Sequence, residues 1–234
     1  MIKCLIIIPA YNEAENIEPV VDNIIKNYPQ YDYVIINDGS KDNTIKICDK
    51  KKYNYINLPI NLGIGGAVQT GYKYARKHGY DAAVQMDGDG QHDVKSVGSM
   101  LQLIEDDEAD IVIGSRFCNN EGYQSSLVRR AGIKFLSNLI FLCTLKRIKD
   151  VTSGYRMVNR KFINIYAESY PTDYPEPEAI VEGVMNKGRV KEIPVVMKER
   201  TGGESSINFM RSIYYMIKVT LAIIICRISL GVRR

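Results

Sequence analysis

Apolar residues fall in short runs through the first half of the chain, separated by stretches with helical spacing. Positions 5–8, 34–37, 57–58, 82–86 and 111–114 read as strands. Between them, 14–27, 42–51, 65–77 and 94–105 space their apolar residues as helices do. This alternation predicts an α/β fold, with a mainly parallel, Rossmann-like sheet flanked by helices. Two helix starts carry signals. Asn12 with Glu15 makes a capping-box-like pair, and Ser40 can cap the helix after the second strand. "YPTDYPEPE", 170–178, reads as a proline-broken loop and an internal boundary. The pattern divides the chain into a main unit, 1–206, and a C-terminal helix within 207–234.

In open parallel sheets, ligands gather outside the carboxyl ends of the strands. The polar motifs lie at those ends: "PAYNE" after the first strand, "NDGS" after the second, "DGDGQHD" after the fourth and "GSR" after the fifth. In "MDGDGQHD", 86–93, the carboxylates of Asp87, Asp89 and Asp93 crowd together and repel one another. A calcium loop of the EF-hand type needs Gly at its sixth place and Glu at its twelfth. Counted from Asp87, those places hold His92 and Gly98. Two readings remain. Either the acids are solvated in a loop, or a divalent cation, Mg²⁺ or Mn²⁺, sits on a few protein oxygens and completes its shell with substrate phosphates. Asp38 of "VIINDGSKDNT" can accept from a nucleobase ring N–H, or simply cap a turn. "NLGIGGAVQTG", 61–71, lacks the third glycine of a dinucleotide loop and the Gly-Lys-Ser of a P-loop. Its glycines suit close packing or a tight helix start beside a ligand.

Taken in order, "IIPAYNEAENI", "NDGSKDNT", "NLGIGGA", "MDGDGQHD", "IVIGSRF" and "SGYR" resemble the family 2 glycosyltransferases of GT-A fold, across most of residues 1–160. The resemblance narrows to the subgroup of dolichol-phosphate mannose synthase and bacterial polyprenyl-phosphate sugar synthases. That subgroup carries "DADxQH" where this chain has "DGDGQH", and "ExSK"-like residues where it has "RTGGESSI", 200–207. The resemblance implies that Pro9, Tyr11, Glu13 and Asp38 hold the nucleoside, with Asp87 near the ribose or the metal. It implies Asp89 and Gln91 as metal ligands. It assigns phosphate contacts to Arg116, to Arg129 or Arg130, and to Arg200, because forked guanidinium donors suit phosphate.

The implied reaction is an inverting, in-line displacement at the anomeric carbon of a nucleotide sugar, with UDP as the nucleotide and undecaprenyl phosphate as the acceptor. A phosphate monoester is largely dianionic near pH 7, so it needs cationic positioning rather than a general base. Glu176 and Glu178 become candidate bases if the acceptor is instead a sugar hydroxyl of a growing polysaccharide. A third reading is a catalytically silent nucleotide-binding scaffold, against which intact Asp89 and Gln91 argue.

Composition adds a location. Lys plus Arg exceeds Asp plus Glu by only 31 to 27, but the bases cluster. Positions 125–149 hold no acid, yet include Arg129, Arg130, Lys134, Lys146, Arg147 and Lys149. After Thr201 the only acid is Glu204. Basic segments interleaved with apolar residues suit an anionic membrane surface or a phosphate, and no nucleic-acid partner is expected. The longest charge-free run near the C-terminus, 219–226, is far short of the ~20 residues that span a bilayer. The 207–234 segment is therefore expected to be an amphipathic, membrane-associated helix lying in the interface, on the cytoplasmic face of the cell membrane. Burial against a sister chain in a homo-oligomer, or pairing with a small membrane protein, are the alternatives. The five cysteines are scattered, with no CxxC, which favours a reduced cytosolic compartment. The chain opens directly into a strand, without the pattern of a cleavable signal peptide.

Overall fold

The computed structural model describes residues 2–118, 127–197 and 209–232. Strands and helices alternate from the start: β1 (Cys4–Ala10), α1 (Ile17–Asn27), β2 (Asp32–Asn37), α2 (Thr44–Lys51), β3 (Tyr55–Asn57), α3 (Gly63–Lys77), β4 (Ala82–Gln85), α4 (Ser96–Glu105) and β5 (Ile111–Ser115). There follow α5 (Leu127–Thr144), β6 (Arg156–Asn159), α6 (Arg160–Glu168), α7 (Pro175–Met185), β7 (Val190–Pro194) and α8 (Phe209–Val232). The strands form one sheet in the order β3-β2-β1-β4-β6-β5-β7. All pairings are parallel except those of β6, which runs against both β4 and β5.

β1 is buried along its whole length, which is why it reads as an unbroken apolar run. Its alternate residues serve two cores. Leu5 and Ile7 pack with Val34, Ile36 and the inner faces of α3, α5, α6 and α7. Ile6 and Ile8 pack with Ile35, Val84 and Val112 under α1, α2 and α4. The chain builds outward from β1 to β3, then returns to place β4 on the other side of β1. That reversal leaves a crevice at the carboxyl ends of β1, β2 and β4.

Three local expectations are corrected. Asn12 and Glu15 do not cap α1, which begins later, with Asn16 at its N-cap. Asn12 instead bridges two loops. Its N–H donates to Ser40 Oγ (2.9 Å), and its Oδ1 accepts from Lys41 N–H (2.8 Å). Ser40 is thus spent on that bridge, and α2 starts from Asn43 with Asp42 accepting from Thr44 N–H (2.9 Å). The "YPTDYPEPE" segment is a loop only in its first half. From Pro175 it is helix α7, because proline at a first helical position gives up an N–H that has no partner there anyway.

α8 carries two apolar stripes. Val219 and Ile223 are buried against the core, where α8 packs on α5 and α7. Tyr214, Ile217, Leu221, Ile224, Ile225 and Ile228 face outward. No described helix is long and apolar enough to cross a membrane.

Candidate active site

The crevice is a cleft of about 440 Å³. It gathers Pro9, Tyr11 and Glu13 from the end of β1, Asp38 from the end of β2, and Asp87 and Asp89 from the end of β4. The first turn of α3 closes the remaining side. The start of α3 packs tightly on the 171–172 loop because Gly65 has no side chain: a Cβ there would fall 2.1 Å from the Pro171 carbonyl oxygen.

Each wall is fixed from behind. The Glu13 N–H donates to Thr44 Oγ1 (3.0 Å), and Asn16 Nδ2 donates to Glu13 Oε2 (2.8 Å). Asp38 is buried, and its Oδ1 accepts from Leu62 N–H at 2.7 Å, tying β2 to the start of α3. Tyr11, 44 % exposed, presents its ring at the rim, where a flat nucleobase can stack.

The acidic loop separates its three carboxylates. Asp93 turns away to accept from Lys95 N–H (3.0 Å) at the approach to α4. Only Asp87 and Asp89 line the cleft. Asp89 Oδ1 accepts from Gln91 N–H (3.0 Å), and Gly90, with φ at 78°, supplies the left-handed turn between them. Gln91 itself does not line the cleft. Asp87 is held through its backbone N–H, which donates to His92 Nδ1 (3.1 Å), while Gln85 Nε2 reaches its Oδ1 (3.4 Å).

Among the described residues no group of three His, Cys, Asp or Glu side chains could hold a metal ion. The donor set is two carboxylates facing one cleft. Hard oxygens in that number fit Mg²⁺ or Mn²⁺ brought in with a diphosphate, and do not fit a cation caged by protein alone.

Among the described residues, the arginines assigned to phosphate do not belong to this cleft lining. Arg116, at the end of β5, makes a two-point ion pair with Asp150. Asp87 and Glu176 are its next charged neighbours. Arg129 and Arg130 are exposed in the first turn of α5. Arg200 lies outside the described residues.

Several residues at the site carried no assignment from the sequence. The segment 150–156 runs beneath it, because antiparallel β6 starts at the carboxyl ends of its neighbours. Gly154 packs against Asp87, so that a Cβ there would lie 3.5 Å from both carboxylate oxygens. Arg156, 1 % exposed, stands opposite Gln85 in the ladder. Its Nη2 donates to the Glu176 carbonyl (3.0 Å), and among the described residues its Nε and Nη1 have no hydrogen-bond partner. Glu176 is no solvated loop acid: it sits half-buried in the first turn of α7. Burial pushes its carboxyl above the ordinary range, and the Asp87 charge adds to this while Arg156 and Arg116 oppose it. The "SGYR" motif was the one signal for this floor.

A family model described as Glycosyl transferase family 2 matches residues 5–165. The UDP-N-acetylglucosamine–dolichyl-phosphate N-acetylglucosaminyltransferase of Methanococcus voltae is 33% identical over 210 residues, covering 81% of this chain and 83% of the relative. The polyprenol monophosphomannose synthase of Mycolicibacterium smegmatis is 28% identical, covering 88% and 81%. The undecaprenyl-phosphate mannosyltransferase of Micrococcus luteus is 27% identical, covering 88% of each. Among solved structures, glucosyl-3-phosphoglycerate synthase from Mycobacterium tuberculosis, in complex with Mn²⁺ and UDP-glucose, superposes with a TM-score of 0.72 at 17% identity, over 97% of this chain and 79% of that one. The fold is thus that of the GT-A glycosyltransferases.

Proposed function

The chain belongs to glycosyl transferase family 2, and we propose that it moves a sugar from a UDP-sugar to undecaprenyl phosphate at the cytoplasmic face of the cell membrane. The observation that carries this reading is the cleft that unites Tyr11, Asp38, Asp87 and Asp89 at the strand ends. The names of the three relatives, each a transferase to a lipid phosphate, supply the acceptor class.

In this reading Tyr11 and Asp38 receive the nucleoside. Asp87 and Asp89 would hold Mg²⁺ or Mn²⁺, with Gln91 fixing the Asp89 carboxylate through its N–H. The cation, when bound, offsets charge on the departing diphosphate. The acceptor phosphate oxygen attacks the anomeric carbon from the face opposite the diphosphate, and the bond from that carbon to the diphosphate oxygen breaks. No proton has to be removed from the attacking group, so the chain's task is to hold two anions in line. Arg116, Arg129, Arg130 and Arg200 oppose the repulsion between them. The outward stripe of α8, with exposed Phe135 and Leu142 on α5, supports contact with a bilayer that carries the acceptor. Residues 1–206 then perform transfer, and 207–234 hold the chain to the surface.

The test offers radiolabelled UDP-N-acetylglucosamine, UDP-glucose and GDP-mannose, with undecaprenyl phosphate in vesicles. Label from a UDP-sugar should move into the organic phase. Transfer from GDP-mannose alone would overturn the choice of nucleotide. Label found only on a soluble glycan acceptor would favour a second reading, transfer to a sugar hydroxyl. The burial of Glu176 in the first turn of α7, which pushes its carboxyl above the ordinary range, is the observation behind that alternative.

A further inference from the structure

Arg116 leaves β5 with its guanidinium already engaged. Its Nε donates to Asp150 Oδ2 and its Nη2 to Asp150 Oδ1, both at 2.7 Å. The Arg116 backbone N–H reaches the same Oδ2 at 3.0 Å, and Nη2 also reaches Thr152 Oγ1 at 2.9 Å. Asp150 is fully buried. Its own N–H and that of Lys149 donate to the two carboxylate oxygens of Glu192 on β7, at 2.8 and 2.9 Å. The frame is therefore continuous: β7 fixes the Asp150 loop, and Asp150 fixes Arg116.

Geometry of this kind selects one edge of the guanidinium. The fork onto Asp150 occupies Nε and Nη2 and leaves the Nη1 edge outside it. Asp87 and Glu176 are the next carboxylates in the field of Arg116. A cation between several carboxylates goes to the one with the best two-point geometry and least water, where attraction is strongest. Asp150 meets both conditions. Without it, the Arg116 guanidinium would lose its fixed direction, and no single edge would be held for a phosphate oxygen.

We propose that Asp150 is a positioning residue for glycosyl transfer, holding Arg116 with its Nη1 edge turned to a phosphate oxygen. This rests on the reading of Arg116 as a phosphate contact.

The experiment is a double-mutant cycle on the full chain: Arg116→Ala, Asp150→Asn and the pair. Each is assayed with undecaprenyl phosphate in vesicles and whichever of UDP-N-acetylglucosamine, UDP-glucose or GDP-mannose the wild type uses fastest. Asp150→Asn should lower kcat about 10²-fold, the scale of a group misplaced by roughly an ångström, with donor KM unchanged. In the Arg116→Ala background it should have no further effect, because it acts through Arg116. Asp150→Glu should restore part of the loss. Equal losses in both backgrounds, or near-normal kcat in Asp150→Asn, would overturn the proposal. If Asp150→Asn does not fold, Thr152→Val takes its place in the cycle. A kcat loss that requires Arg116 supports the proposal, and no loss overturns it. Failure of the underlying reading looks different: the wild type transfers nothing to the lipid, or Arg116→Ala turns over normally.

Discussion

The imidazole of His92 lies flat on the ring of Tyr155, with centroids 4.7 Å apart and planes 12° apart. His92 Nδ1 accepts from Asp87 N–H, so the ring proton is on Nε2. The Tyr155 hydroxyl donates to the Asp93 carbonyl at 2.7 Å. One buried aromatic residue on the 150–156 segment thus braces both ends of the acidic loop. Tyr155→Phe keeps the stack and should lose little. Tyr155→Ala should cost about 3–5 kcal/mol of stability, as for other buried aromatics. It should also weaken UDP binding in the presence of Mn²⁺. Thermal melts with calorimetric titration of UDP check both, and unchanged UDP affinity in a folded Tyr155→Ala would contradict the bracing role.

Asp89 faces the cleft and is shaped by Gln91 N–H and by the turn at Gly90. Asp89→Ala should abolish turnover while the melting temperature stays near that of the wild type. EDTA should stop the wild-type reaction, and added Mg²⁺ or Mn²⁺ should restore it. Steady turnover in EDTA would remove the cation from the reaction.

Acceptor chemistry decides what Glu176 and Glu178 do. With a phosphate acceptor no base is needed, so Glu176→Gln and Glu178→Gln should each retain substantial activity. Arg129→Ala or Arg130→Ala should impair it, mainly through the KM for lipid acceptor. A loss of 10²–10⁴-fold in one Glu→Gln variant, the scale of a general base, would instead favour a hydroxyl acceptor.

Glu178 and Glu182 are four residues apart on α7, hence on one face. Burial, with the Glu178 charge adding, pushes Glu182 up to about 7 from its ordinary 4.5. The sign follows from linkage. Between those two values the unfolded chain has released this proton and the folded chain retains it, so stability falls as pH rises through the window and levels off above it. Glu182→Gln should therefore melt higher than the wild type above pH 7, by on the order of 2 kcal/mol, and the gap should close near pH 4.5. Parallel melting curves for the two proteins at every pH would rule this out.

The outward residues of α8 can be changed without touching the core. Leu221, Ile225 and Ile228 are 54 %, 63 % and 61 % exposed. Replacing all three by Asp should abolish sedimentation with anionic vesicles and leave the fold within about 0.5 kcal/mol per site. Deleting the helix is the poorer test, since it would also strip Val219 and Ile223 from the core. Unaltered vesicle binding with a lower oligomeric mass would assign the stripe to a sister chain.

The amino-acid sequence by itself determined the parallel half of the sheet and its ligand-facing ends. Both are local properties. A buried parallel strand must be an apolar run, and parallel order brings every strand's carboxyl end to one side. That is why Pro9, Tyr11, Glu13, Asp38, Asp87 and Asp89, spread over some eighty positions, could be grouped before any coordinates. Tertiary structure decided the rest, because it depends on partners distant in sequence. β6 is four residues long and contains a buried arginine, so no apolar run announces it. Its antiparallel course alone carries Asp150, Gly154, Tyr155 and Arg156 under the site. Asn12 and Ser40 read as caps because the loop that pairs them is formed by two strands lying side by side. The C-terminal segment reads as one amphipathic helix, but packing splits its apolar residues between a stripe buried on α5 and α7 and an exposed one. Hydrophobic period counts apolar positions, and only packing tells which of them already have a neighbour.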